Sequence, residues 1–292
     1  VVADVNLVAR VVDFARLTKP GLTSLAVAAA FVGYWMGVDG GLQPSVLVGT
    51  LIGAVLIGAG ANTLNQFLER QRDALMTRTA NRPLPAGRLT PAEAHCFGFL
   101  LAWCGVAFLL PYAGWLSAAM GLATLLSYLY VYTPLKAISP WSTIVGAVPG
   151  ALPVLVGWTA ATGTIGSTGL CLFAIVFVWQ IPHFMAIGWY YREDYRRAGY
   201  PIWPVVDARG IKTGLQAVIF SLILIPVSLL PTMVGAAGSA YLVGALASGF
   251  FMVAVAVAMT VTRSASSARR LFWTSIVYLP IIMALMMLDK QG

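Results

Sequence analysis

Nine stretches of the chain are apolar for long enough to cross a hydrocarbon layer of about 30 Å. They lie near 22–38, 46–64, 94–110, 115–133, 143–162, 169–191, 213–234, 239–262 and 271–288. A chain patterned in this way has one stable setting, a bilayer. The composition agrees, since 59% of the 292 residues are apolar and 10% charged, against roughly a quarter charged in soluble domains. One aqueous core cannot bury so many large side chains behind so few charges. Disorder, collagen-like repeats and a disulfide scaffold are excluded as well. The three cysteines, Cys96, Cys104 and Cys171, all fall in apolar stretches and read as small buried or lipid-facing residues.

The net charge of +8 would suggest nucleic acid in a soluble protein; here the placement of the basic residues decides topology instead. Counting crossings assigns each a side. Arg10, Arg16 and Lys19 precede the first stretch, and Arg70, Arg72, Arg78, Arg82 and Arg88 follow the second. Lys136 follows the fourth; Arg192, Arg196, Arg197, Arg209 and Lys212 follow the sixth; Arg263, Arg269 and Arg270 follow the eighth. Only Lys290 falls opposite, so seventeen of the 18 basic residues share one face. The positive-inside bias makes that face cytoplasmic, or the matrix side of a mitochondrion, with the N-terminus on it. Asp4 and Asp13 near the start, with no short apolar run ending in a cleavage site, argue against a cleavable signal peptide. The expected architecture is an all-α polytopic membrane protein of nine helices, a single domain over 1–292.

Two connections on the basic face are long, 65–92 and 192–212, and long loops carry function. The second stretch runs into NQFLERQRD, placing Asn65, Glu69 and Asp73 at four-residue intervals. On a continuing helix that is one face, each step rising about 6 Å and drifting about 40°. An amide and two carboxylates converging in this way suit Mg²⁺. Arg78, Arg82 and Arg88 follow in a loop broken by Pro83, Pro85 and Pro91, and guanidinium groups pair bidentately with phosphate. A metal face joined to such a loop fits a diphosphate. The competing reading is a helix end emerging into water, its charges solvated.

The sixth stretch ends in Glu193 and Asp194, flanked by Arg192, Arg196 and Arg197. Two acid-plus-arginine clusters on one face suit two metals, or two sides of one diphosphate leaving group; a solvated loop is the alternative. His183 is ionisable at membrane depth and so a functional candidate, against a hydrogen-bonded core histidine. His95 reads as interfacial. Lys136 either reaches a phosphate as a point charge or serves as a snorkelling anchor. The aromatic residues read mostly as interfacial belt.

These motifs carry a resemblance that covers nearly the whole chain. NQFLERQRDALMTRTANRPLPAGRLTP at 65–91, YTPLK at 132–136, GAVPGALPVLVGW at 146–158, WQIPHF at 179–184 and REDYRRAGYPIWPV at 192–205 resemble the UbiA-type intramembrane prenyltransferases, in particular their protohaem IX farnesyltransferase (haem O synthase) branch. The resemblance implies nine helices around a central cavity. It implies Asn65, Glu69 and Asp73 as the first Mg²⁺-diphosphate motif and Glu193 and Asp194 as the second, with Asp194 a further metal ligand. Arg78, Arg82, Lys136, Arg192 and Arg196 are implied as diphosphate-binding, and His183 as haem-binding. Mg²⁺ is the implied cofactor, and farnesyl diphosphate and haem B are the substrates. The product is haem O for haem-copper oxidase assembly, with the bilayer as surroundings, no nucleic acid, and contact with haem A synthase or oxidase assembly factors. Glu69 stands where other members usually have Asp, and Ala137 where a second basic residue is common.

Other readings differ in a testable way. A UbiA-type enzyme acting on a quinone precursor or a chlorin shares the diphosphate chemistry but not the acceptor. A transporter would carry its charges at the midplane, whereas here they gather at one mouth. A CDP-alcohol phosphotransferase lacks its Gly-containing repeat here, and a haem-carrying oxidase subunit needs more than two histidines.

Overall fold

The structure is a computed structural model that describes residues 7–291; Asp4 lies outside the described residues. A short helix, α1 (Leu7–Leu17), leads into α2 (Pro20–Gly37), α3 (Pro44–Asp73) and α4 (Pro91–Leu126). A π-helical turn, Ser127–Tyr132, passes into α5 (Thr133–Lys136). Then come α6 (Ser142–Thr162), α7 (Ser167–Tyr190), two short helices α8 (Arg192–Arg197) and α9 (Trp203–Val206), and finally α10 (Ile211–Met233), α11 (Ser239–Thr262) and α12 (Ala265–Leu288).

Among the described residues, seven helices are long and apolar enough to cross a membrane, where the sequence suggested nine stretches. The difference has two sources. The stretch 22–38 lies on α2, an 18-residue helix that is not one of the seven. The stretches 94–110 and 115–133 are two helical arms of one segment, Pro91–Lys136, with no polar loop between them. That segment is interrupted at Gly114, whose backbone sits at φ 81°, ψ 169°. A Cβ built on Gly121 would lie 3.0 Å from Leu109 Cδ1, although twelve residues of straight helix span about 18 Å. The chain therefore folds back at Gly114.

Close helix contacts fix the inner bundle. Gly60 lies against the backbone of Ala102, and Gly105 against that of Ile57, so α3 and α4 meet backbone to backbone, as small residues allow in membranes. Gly33 and Gly157 do the same for α2 and α6. One large core joins α2, α6, α7, α10, α11 and α12, and a second joins α3 to both arms of α4. Large apolar side chains such as Trp115, Val243, Phe250, Phe251 and Val261 stay exposed, a surface suited to lipid.

The basic loops gather at one end of the bundle. Arg88 Nε reaches Asp13 at 2.9 Å, Arg197 Nη2 reaches Thr77 Oγ1 at 2.6 Å and Arg192 Nη2 reaches Ala208 O at 3.2 Å. Lys290 is at the other end, donating to Trp35 O in the last turn of α2 at 3.0 Å and to Val38 O just beyond it at 2.5 Å. With 30 residues, α3 is about 45 Å long. That exceeds the hydrocarbon layer and carries its last turns out to the basic rim.

Candidate active site

Asn65, Glu69 and Asp73 all face inward on α3, with relative exposures of 2%, 7% and 1%. Each meets a cation from a different segment. Lys19 Nζ donates to Asn65 Oδ1 at 3.0 Å, Lys136 Nζ to Glu69 Oε1 at 2.9 Å and Oε2 at 3.2 Å, and Arg82 Nη1 to Asp73 Oδ2 at 2.7 Å. Asp73 is the last residue of α3, where the helix dipole disfavours a carboxylate. Its Oδ1 is buried with no hydrogen-bond partner, an open lone-pair site beside Glu69 of the kind a cation fills.

Local structure explains how the cations arrive. Lys19 adopts the left-handed conformation at φ 45°, ψ 67°, which costs an L-residue roughly 1–2 kcal/mol. The turn is tied to α3 on both sides of it: Gln66 Nε2 donates to Leu17 O at 2.7 Å, and Asn62 Nδ2 donates to Thr23 Oγ1 at 3.0 Å. Burial pulls the Lys19 ammonium down to about 7; the Arg82 charge adds to this, and Glu69 and Asp73 oppose it. Lys136 is delivered by the π-helical turn, whose Tyr128 carbonyl accepts from Thr133 Oγ1 at 2.8 Å. Thr133 Oγ1 in turn accepts from Asn65 Nδ2 at 3.2 Å. Tyr200 closes the cluster, its ring 4.4 Å from Lys136 Nζ. Burial pushes the Tyr200 phenol above its usual range, against the pull of Lys136.

Asp194 joins the second loop to the first. Its two carboxylate oxygens accept from the backbone N–H groups of Thr77 and Arg78, each at 3.3 Å, and Arg197 donates to it as well. Burial alone would raise its pKa, but the Arg197 hydrogen bond and the two backbone donors hold it below the usual carboxylate range. The Arg78 guanidinium lies 5.0 Å from the Tyr191 ring and 5.9 Å from Tyr195.

The remaining candidates stand apart. Glu193 has a side chain 72% exposed and pairs with Arg196, three residues on. Arg192 donates to Asp207 O and Ala208 O, and Arg88 turns to Asp13 on α1. His95 is exposed between Phe67 and Phe99. His183 is stacked between Trp179 and Phe272, at 5.1 and 5.2 Å, with Nδ1 2.8 Å from Ser275 Oγ. The Ser275 hydroxyl donates to Phe272 O at 2.6 Å. Its one proton thus assigned, it accepts from Nδ1–H, and His183 Nε2 keeps its lone pair. Among the described residues no three His, Cys, Asp or Glu side chains form a cluster able to hold a metal ion; the α3 donor set has two carboxylates and an amide.

Sequence reasoning placed Lys19 only as a topological charge and overlooked Thr133 and Tyr200 as neighbours of the cluster. The available signal was Lys19-Pro20 at a span entrance. Nothing in the sequence aims that lysine at Asn65.

The profile of the UbiA prenyltransferase family matches residues 26–279. The chain belongs to the UbiA prenyltransferase family. It is 43% identical over 289 residues to the protoheme IX farnesyltransferase of Solibacter usitatus, covering 96% of this chain and 99% of that protein. It is 42% identical to that of Salinibacter ruber, covering 95% and 98%. In fold, this UbiA family member is similar to digeranylgeranylglyceryl phosphate synthase, with a TM-score of 0.80 at 14% identity over 96% of this chain and 98% of that one. It is also similar to a UbiA homologue from Archaeoglobus fulgidus bound to GPP and Mg²⁺, with a TM-score of 0.66 at 15% identity over 94% and 99%.

Proposed function

We infer that the chain transfers the farnesyl group of farnesyl diphosphate to a vinyl group of haem B, with addition of water, releasing diphosphate and giving haem O for haem-copper oxidase assembly. The observation that carries this reading is the buried row Asn65, Glu69 and Asp73 faced by Lys19, Lys136 and Arg82, in a chain similar over nearly its whole length to protoheme IX farnesyltransferases.

The row binds the diphosphate by exchange of partners. Arg82 and Lys136 turn from Asp73 and Glu69 to phosphate oxygens, joined by Arg78, and the freed Asn65, Glu69 and Asp73 oxygens are the groups that would hold Mg²⁺. When bound, Mg²⁺ supplies positive charge that lowers the cost of diphosphate departure. Asp194 acts through the Thr77–Arg78 turn, whose arginine it sets in place. Glu193 and Arg196 are paired with each other and Arg192 with the Asp207 and Ala208 carbonyls, so each has to leave those partners to reach the diphosphate.

Departure of diphosphate leaves an allylic cation at carbon-1. The haem vinyl group attacks that carbon, and water captures the resulting porphyrin-conjugated cation and loses a proton, which completes the hydroxyethylfarnesyl group. No protein nucleophile is needed. The apolar bundle keeps water from the allylic cation, which would otherwise give farnesol. His183 presents Nε2 to the porphyrin. The active site and N-terminus are assigned to the cytoplasmic or matrix side, in a bacterial inner membrane or a mitochondrial inner membrane.

Purified protein given farnesyl diphosphate, Mg²⁺ and either haem B or 4-hydroxybenzoate tests this by product mass. Haem O from the first mixture and nothing from the second is expected. Prenylated 4-hydroxybenzoate would move the chain to the quinone-making branch, and ion flux in liposomes without prenyl transfer would make it a transporter.

A further inference from the structure

Between α9 and the start of α10 lies a cavity of about 360 Å³ lined by Trp203, Val206, Asp207, Ala208, Arg209 and Lys212. None of these residues belongs to the α3 cluster. Donors outnumber acceptors in this cavity and its wall. Trp203 Nε1 is buried with no hydrogen-bond partner. Arg192 Nη2 caps the carbonyls of Asp207 and Ala208, while its Nε is buried and unpartnered. Among the described residues neither Arg209 nor Lys212 forms an ion pair; Lys212 Nζ lies 5.7 Å from the Trp203 ring. Oδ2 of the single carboxylate, Asp207, is already taken by Thr213, whose N–H and hydroxyl donate to it at 2.8 and 3.1 Å. Buried donors left unpaired are costly, and the N-terminus of the 23-residue α10 adds partial positive charge.

Directly below, α10 shows one exposed apolar stripe. Ile211, Leu215, Ile219 and Leu222 are 45%, 51%, 41% and 49% exposed and share a helix face by their spacing. Above it, Trp203 packs edge-on against Trp141 at 5.4 Å, and Trp141 is 56% exposed, a pairing typical of the membrane interface. A cationic, donor-rich pocket thus sits at the head of a lipid-facing apolar track.

We propose that this pocket takes the phosphate of an acidic phospholipid whose acyl chains lie along the exposed face of α10. An outward helix face headed by cations meets lipid, whereas the haem vinyl group of the proposed reaction has to reach the enclosed α3 row.

The test compares wild type with the double variant Arg209→Ala/Lys212→Ala, and with Trp203→Phe, which keeps a ring and deletes only the unpartnered donor. In phosphatidylcholine nanodiscs, haem B and its dimethyl ester are titrated into each protein. In parallel, phosphatidylglycerol retained from mixed vesicles is counted by native mass spectrometry. Weakening of haem B binding by about tenfold in the double variant, with the ester and lipid retention unchanged, would overturn the phospholipid assignment and move the pocket to propionates. Loss of retained phosphatidylglycerol with haem binding unchanged assigns it to phospholipid. Trp203→Phe is expected to weaken the same ligand by a smaller factor, about threefold. The proposal is overturned if the variants match wild type in both arms, or if acid and ester weaken alike with lipid retention unchanged.

Discussion

Glu69 and Lys136 are joined across 67 positions of sequence by a two-pronged ion pair, with Lys136 Nζ 2.9 Å from one carboxylate oxygen and 3.2 Å from the other. Their side chains are 7% and 12% exposed. Removing one partner from so enclosed a pair strands the other, typically at a cost of about 3–5 kcal/mol. Lys136→Met is expected to lower the thermal midpoint more than the double variant Glu69→Gln/Lys136→Met does. A double variant less stable than the single would show that the pair is not coupled in this way.

Asp73 supplies the one buried acceptor in the α3 row without a partner. Asp73→Ala should abolish farnesyl transfer while leaving helix content and membrane insertion intact. Product mass and circular dichroism on the same preparation check both halves. Normal turnover by a folded Asp73→Ala protein would remove the metal assignment.

Two arginines of one loop are predicted to differ sharply. Arg82 sits on Asp73 in the site, whereas Arg88 holds Asp13 on α1. Arg82→Ala is expected to cut kcat/KM for farnesyl diphosphate by about a hundredfold, on the scale of losing a charge-stabilising donor. Arg88→Ala should leave it within a few-fold of wild type. Equal losses would mean that the loop acts as one unit.

The depressed Asp194 carboxyl gives a signed pH dependence. A carboxylate whose folded pKa lies below its unfolded value contributes stability above the unfolded pKa, about 3.9, and that stability is lost as pH falls through the lower folded value. The gap in thermal midpoint between wild type and Asp194→Asn should therefore be largest near neutrality. It should narrow on acidification below about pH 4. A gap that widens on acidification would contradict the assigned sign.

His183→Ala should weaken haem B binding measured by its visible absorbance, without altering KM for farnesyl diphosphate. Ser275→Ala, which removes the group fixing the imidazole at Nδ1, should give a smaller effect in the same direction. Unchanged haem binding in both would leave His183 a packing residue between Trp179 and Phe272.

The α3 row was legible in the sequence because four-residue spacing on a helix admits one geometry, and the continuing helix delivers it. The one-sided arginine pattern likewise anticipated which loops lie together. What spacing does not encode is contact across distant segments. Lys19, 46 positions from Asn65, reaches it through a left-handed turn that no local pattern announces. Asp194 reads as an acidic ligand by residue type, yet besides Arg197 its partners are backbone N–H groups at Thr77 and Arg78, and backbone donors leave no mark in a sequence. The structure gives seven long apolar helices among the described residues, in part because Gly114 turns the chain without a polar loop, so that two apolar arms run together in one segment.

The cation facing each member of the α3 row sets a condition on what the rim will admit. An anion alone would draw Lys136 and Arg82 away and leave two naked carboxylates in a poorly solvated niche; a lone cation would strand the ammonium and the guanidinium. Either half-measure is penalised by the same desolvation. Only a ligand bringing both signs of charge together satisfies every group at once, so metal and pyrophosphoryl group should enter synergistically, each tightening the hold on the other.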